Sequence, residues 1–174
     1  NIFIIIYSGD HYMLWIITII EFLIGSVLHF VYDIFPYSVV ALIAPVNESI
    51  FEHLKLVLYP MLFIDIILLL RNKKTYSLTS MLAGIITGIL SVVLIYYFYH
   101  YGLGIESLIV DIVLLFVGIL LGNVMMIIVD KHHWNMDWRI NLIILVVLIV
   151  LFSVWTFYPP DLPIFIDNSK AVLS

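Results

Sequence analysis

The sequence predicts an all-α polytopic membrane protein: a bundle of about five spanning helices plus one short re-entrant or interfacial half-helix. Three observations carry that expectation. Hydrophobic residues make up 64% of the 174 residues and charged residues only 11%, with a mean hydropathy of +1.21, which leaves too little polar side chain to coat a water-soluble globule. Five runs reach the roughly 20 apolar residues that a helix needs to cross about 30 Å of hydrocarbon. The basic residues outside these runs gather mainly in two short connections, the pattern of loops on one side of a membrane.

The first run covers residues 12–35. After it comes "PYSVVALIAPVN", which is too apolar for a solvated loop and too short to span. Residues 37–44 are therefore expected to form the half-helix, because irregular backbone in hydrocarbon needs protein or a wet cavity around it. The second run, 47–70, starts at a capping box of Ser49 and Glu52, with Asn47 as an alternative N-cap. It carries Pro60, which lacks a backbone donor and is expected to kink it.

Runs three and four cover 78–100 and 105–130. Ser80, Gly84 and Gly88 on one, and Gly118 and Gly122 on the other, give small-xxx-small faces that let backbones approach. Contact between these two helices is the simplest reading. The alternative is that the Gly84/Gly88 and Gly118/Gly122 faces serve a homo-oligomer or a membrane partner. The fifth run is 140–158, followed by an extramembrane tail, 159–174. The whole of 1–174 reads as a single integral membrane domain in contact with the lipid bilayer.

Arg71, Lys73 and Lys74 lie between runs two and three, and Lys131 and Arg139 between four and five. These connections are expected in the cytoplasm, which puts the N-terminus inside and the C-terminus outside. Trp134 and Trp138 flank one of them, and "YYFYHY" ends run three at the opposite face, as interfacial aromatics do. The chain opens at Asn1 without methionine, and "NIFIIIYSGDHY" has neither a basic n-region nor a small-residue cleavage site. A secretory signal is not expected, and the natural N-terminus is expected upstream.

Composition also removes whole classes of function. There is no cysteine, so disulfides, thiolate metal sites and thiol nucleophiles are excluded, leaving His, Asp and Glu as metal ligands. The net charge is -5 and no basic stretch exceeds "RNKK", so no nucleic acid is expected as a partner. Phosphate loops, HExxH and CxxC are absent. Ser26 and Ser49 each have a histidine within four residues, but that spacing alone establishes no catalytic pair.

Alternating helix directions turn the ionisable residues into a map. Asp33, Glu48, His100 and Glu106 fall at the ends of four runs on one face, with His29, Glu52, His53 and Asp111 about 6 to 8 Å deeper. His29 and Asp33 share one helix face, as do Glu48 and Glu52. Glu21 lies two turns below His29. Charges inside a membrane cost several kcal/mol unless paired, protonated or hydrated, so a polar pocket is expected from Glu21, His29, Asp33, Asn47, Glu48, Glu52, His53 and Asp111. Each also has a bland reading: His29 with Asp33 as a local pair, Glu52 as a cap paired with Lys55, Glu106 as a charge favoured by the helix dipole. His100, His132 and His133 read as interfacial, while Asp65, Asn123 and Asp130 belong to the opposite half.

Three uses of the pocket stay open. One is binding, and possibly transport, of a cation, a proton or a cationic small molecule, with Glu48 and Glu52 as principal ligands. A second is a metal-dependent enzyme acting on a lipid head group or amide, with a divalent metal such as zinc held by His29, Asp33 and His53 and with Glu48 or Glu52 as base. A third is a structural or regulatory subunit.

The motif "PVNESIFEHLK", with "EFLIGSVLHFVYD" before it and "PPDLPIFID" near the end, resembles a family of small bacterial multi-pass membrane proteins marked by a PVNES-[WF]-EHLK-like signature. Phe51 stands where that signature often has Trp. The resemblance implies a bacterial cytoplasmic-membrane location and a shared polar centre, and brings no activity with it. The Ser-x-x-His of "SVLHFVYD" is also similar to intramembrane zinc hydrolases such as the alkaline ceramidases. Those are seven-span bundles with a histidine pair on the last helix, whereas run five here has no histidine and the chain is shorter, so membership is not expected.

Overall fold

Where apolar side chains run on without break, the backbone can satisfy its polar groups in hydrocarbon only by coiling into helices. The computed structural model describes residues 10–71 and 77–168. Its helices are α1 (Asp10–Ile34), α2 (Ser38–Ala41), α3 (Ile50–His53), α4 (Lys55–Arg71), α5 (Leu78–Tyr97), α6 (Leu108–Lys131) and α7 (Trp138–Phe157). A π-helical turn, Phe98–Gly102, follows α5, and a 3-10 turn, Pro163–Phe165, lies in the tail. No strand occurs among the described residues. The expectations placed on the first nine residues, on Lys73 and Lys74, and on the tail after residue 168 lie outside the described residues.

Five stretches are long and apolar enough to cross a membrane: Tyr12–Ile34, Ile50–Arg71, Leu78–Gly102, Leu108–Lys131 and Trp138–Phe157. The second starts later than the sequence pattern suggests, because Asn47 and Ser49 make its entrance. Asn47 Oδ1 accepts the Ser49 N–H at 2.9 Å, and Ser49 Oγ accepts the Glu52 N–H at 3.3 Å, so a local turn and a true N-cap precede Ile50. The helix is interrupted at Leu54, nearly two turns ahead of Pro60 at 3.6 residues per turn, and α4 then continues through the proline. A proline cannot bond the carbonyl four residues back, which frees Leu56 O. Gly25 of α1 sits against that oxygen so closely that a Cβ there would lie 2.7 Å from it.

The half-helix shrinks to the single turn of α2 and is followed by a tight buried bend, with Ala41 and Ala44 at 2% and 0% exposure. α5 and α6 form the closest helix pair. A Cβ on Gly84 would meet the Gly122 carbonyl oxygen at 2.9 Å, and one on Gly122 would meet that of Gly84 at 2.7 Å. Gly88 and Gly118 repeat the approach one turn away, at 3.2 Å in both directions. The two glycine faces therefore consume each other within the chain. This corrects the alternative in which they serve a partner: a second protein would have to separate helices whose backbones already touch.

α7 packs at the edge, burying Asn141 and Phe152. Asn141 Nδ2 donates to Thr79 Oγ1 at 2.9 Å, and Phe152 stacks on Phe51 at 4.8 Å between ring centroids. Elsewhere α1 and α7 present Leu23, Val27, Phe30, Ile143, Val147 and Val150 outward. Apolar exposure on that scale is unfavourable in water and ordinary against lipid.

Candidate metal centre

The segment 45–55 places its polar side chains in two directions, as neighbours on a helix must, being about 100° apart. Glu52 and Lys55 turn inward. Lys55, fully buried, donates to Ala41 O at 2.8 Å, Ala44 O at 3.3 Å and Glu52 Oε2 at 2.7 Å. All three ammonium hydrogens thus have partners. Glu52 Oε2 also accepts the Val46 N–H at 2.8 Å, and its Oε1 accepts Thr156 Oγ1–H from α7 at 3.1 Å. This pair satisfies the end of the half-helix from the side, a task that cap residues or water perform elsewhere.

Glu48 and His53 turn the other way, toward His29 of α1. The rings of His29 and His53 lie 5.1 Å apart. Glu48 Oε1 is 3.9 Å from His29 Nε2, and its Oε2 is 3.3 Å from His53 Nε2. One donor atom from each of the three residues falls within 4.8 Å of the others. In a tetrahedral zinc site with bonds of 2.0–2.1 Å, donors stand about 3.3 to 3.4 Å apart, so small side-chain rotations close the group on an ion. Both histidines are partly buried and Glu48 is exposed, which places the group at the protein surface on the face where α1 ends and α3 begins.

Hydrogen bonding prepares His53 for this role. Its Nδ1 lies 2.8 Å from the Ser49 carbonyl oxygen. A carbonyl only accepts, so Nδ1 carries the hydrogen and the neutral ring presents a lone pair at Nε2. That lone pair faces the Glu48 carboxylate, and two acceptors at 3.3 Å need a cation between them: either a proton on the ring or a metal ion. A backbone bond of this kind at the far nitrogen is how metal-ligating histidines are oriented. Glu48 responds to the same neighbours. With a proton on the His53 ring, the hydrogen bond it donates outweighs partial burial and holds the Glu48 carboxyl below the ordinary carboxylate value.

The remaining candidate residues do not join this group. Asp33 is exposed, one turn beyond His29 on the same helix, and acts on it electrostatically; the carboxylate that meets both histidines is Glu48. Asp111 lies near enough to act on His53 electrostatically and accepts a hydrogen bond from the Tyr99 hydroxyl. Asn47 serves the turn before Ser49, and Glu52 the buried link to Lys55. Glu21 lies deeper and is bonded to Asn123 at 2.6 Å. At the rim, His100 Nε2 approaches Glu106 at 3.8 Å and its ring stacks on Tyr96.

One neighbour was invisible in the spacing of the sequence. Asp167, in the tail, accepts the Glu48 N–H at 3.4 Å, held there because Phe165 packs on Phe51 and Trp155. The only hint was that "PPDLPIFID" is apolar for a solvated tail.

Residues 4–172 match the model of DUF6512, described as a family of unknown function. No curated protein and no solved structure matches the chain.

Proposed function

The chain belongs to the DUF6512 family, which supplies no activity, and from the geometry of the site we propose that it is a zinc-binding membrane protein. His29, Glu48 and His53 hold the ion at one face. The observation that carries this reading is the meeting, within 4.8 Å, of an imidazole from α1 with a carboxylate and an imidazole from the segment 45–55. With no thiolate available, this donor set suits zinc among common divalent ions. By the positive-inside pattern the cluster faces away from the cytoplasm of a bacterial cell.

The use we assign to the ion is hydrolysis of an ester or amide bond at the bilayer surface. Held by His29, Glu48 and His53, zinc would keep a fourth position for water and would supply a hydroxide at neutral pH and a Lewis acid for the carbonyl. Glu48, exposed as it is, leaves that position open to the membrane boundary, where a head group can reach it. Asp33, exposed one turn beyond His29, is the carboxylate we assign to take a proton from the attacking water. A second reading, zinc entry to a transport path, is favoured by one observation: Glu21 and Asp65 are buried deeper in the same two spans that carry His29 and His53.

Elemental analysis of the purified, zinc-loaded chain tests the ion. One zinc per chain is expected, with loss in His29→Ala and in His53→Ala; metal-free wild type, or equal content in all three, sinks the reading. Proteoliposomes separate the uses. Release of a fluorescent head group without zinc entering the lumen supports hydrolysis, and zinc entry without release supports transport.

A further inference from the structure

A second polar group lies in the opposite half of the bundle, apart from the zinc cluster. Thr18 and Glu21 of α1 are 0% exposed, Asp65 of α4 is 1% and Asn123 of α6 is 4%. Counted from the ends of their spans at Tyr12 and Arg71, Glu21 and Asp65 lie about 13 and 9 Å deep at 1.5 Å per residue.

Asn123 Nδ2 donates to Glu21 Oε2 at 2.6 Å and to Thr18 Oγ1 at 3.1 Å. That leaves Glu21 Oε1 and both carboxyl oxygens of Asp65 buried with no hydrogen-bond partner. The charged groups that act on Asp65 are themselves acids, Glu21 and Asp130. Asp130, at the end of α6, accepts from Ser77 Oγ at 3.3 Å and has His133 near it. Among the described residues no Lys, Arg or His forms an ion pair with Glu21 or Asp65.

Two carboxylates that are both buried in a membrane protein and act on each other electrostatically do not both stay ionised, because burial and like charge each favour the neutral acid. Of the cations that relieve this, a proton is the one that needs no added space in a packed interior. It also turns an orphan acceptor oxygen into a donor. We propose that Glu21 and Asp65, supported by Asn123 and Thr18, form an intramembrane proton-binding site that holds one exchangeable proton. Uptake is a simple transfer: a proton leaves bulk water and adds to a carboxylate oxygen, and no other bond changes. Glu21 shares its span with His29, and Asp65 shares the Ile50–Arg71 span with His53. The inference does not depend on zinc being bound.

The test is infrared spectroscopy of the full chain in lipid nanodiscs. At pH 7 the wild type is expected to show the carbonyl stretch of a protonated carboxyl that shifts in D2O. Glu21→Gln/Asp65→Asn should remove that band while still binding zinc, and His53→Ala should keep it while losing zinc. Carboxyl-13C labelling of all glutamates, and separately of all aspartates, assigns the band in the unmutated protein, so the answer does not hang on the double variant folding. A missing band, a band that does not exchange with D2O, or a band that neither label moves overturns the proposal. So does a band that survives in the folded double variant.

Discussion

Lys55 shows how much a single residue can hold in place. Its ammonium joins the half-helix to α4, and its partner Glu52 joins both to α7 through Thr156. Removing one member of a buried pair leaves an uncompensated charge, which costs about 3 to 5 kcal/mol. Lys55→Ala should therefore lower the thermal midpoint in detergent sharply, and Lys55→Met with Glu52→Gln should recover part of the loss. At the neighbouring site, His53→Ala and Glu48→Gln should each weaken zinc binding at least tenfold by calorimetry, as loss of a ligand does.

The pH dependence of that binding follows from the same side chains. Glu48 is held below its ordinary carboxylate value. Its stabilising effect is thus fully present above the unfolded-state value, near pH 4.3, and is lost only as pH falls through the lower folded value. The acid limb of zinc binding should then follow the histidines, whose ordinary value is about 6.5. Titration of the apparent zinc affinity between pH 5 and 8, about the range where histidine changes charge, checks this: an inflection nearer 4 would mean that the carboxylate controls the site.

At the scale of elements, the glycine seam of α5 and α6 sets the distance between two spans. Gly122→Val must push against the Gly84 carbonyl, which a Cβ alone would meet at 2.7 Å. Overpacking of this kind costs about 1 to 3 kcal/mol, and Gly104→Ala, with nothing within 4 Å, isolates the seam from the strain of a glycine turn at φ +65°. A larger fall in thermal midpoint for Gly122→Val than for Gly104→Ala is expected. The seam was legible in the sequence because four-residue spacing of small residues maps directly onto one helix face. The half-helix was legible as an anomaly of length and polarity, though its anchoring by Lys55 was not. Spacing placed Glu48 and Glu52 on one face of a helix, whereas Glu48 precedes the first helical turn and is free to swing toward His29. Which carboxylate meets the two histidines was decided by that cap, a local geometry finer than periodicity can register.

At the scale of the molecule, five spans bring the ends of α1, α3 and α6 to the face that carries the cluster, as direction reversal at short connections requires. Absence of cysteine makes the orientation easy to read. Single cysteines at exposed Tyr37 and Asn135 should label from opposite sides of intact cells or inverted vesicles with a membrane-impermeant maleimide. Labelling of both from one side would contradict the alternation.

The link between Glu52 and Thr156 has a consequence for biogenesis. The backbone of residues 41–46 finds its side-chain partners in Lys55 and Glu52 of the second span; Glu52 is held in turn by Thr156 of the fifth span, which emerges from the ribosome last. Until then the bend lacks its full anchorage, so its lasting place is beside water at the membrane surface. The finished bundle draws it in after the other spans are already lodged. A nascent chain arrested before α7 should therefore leave this connection open to proteases that the complete protein resists.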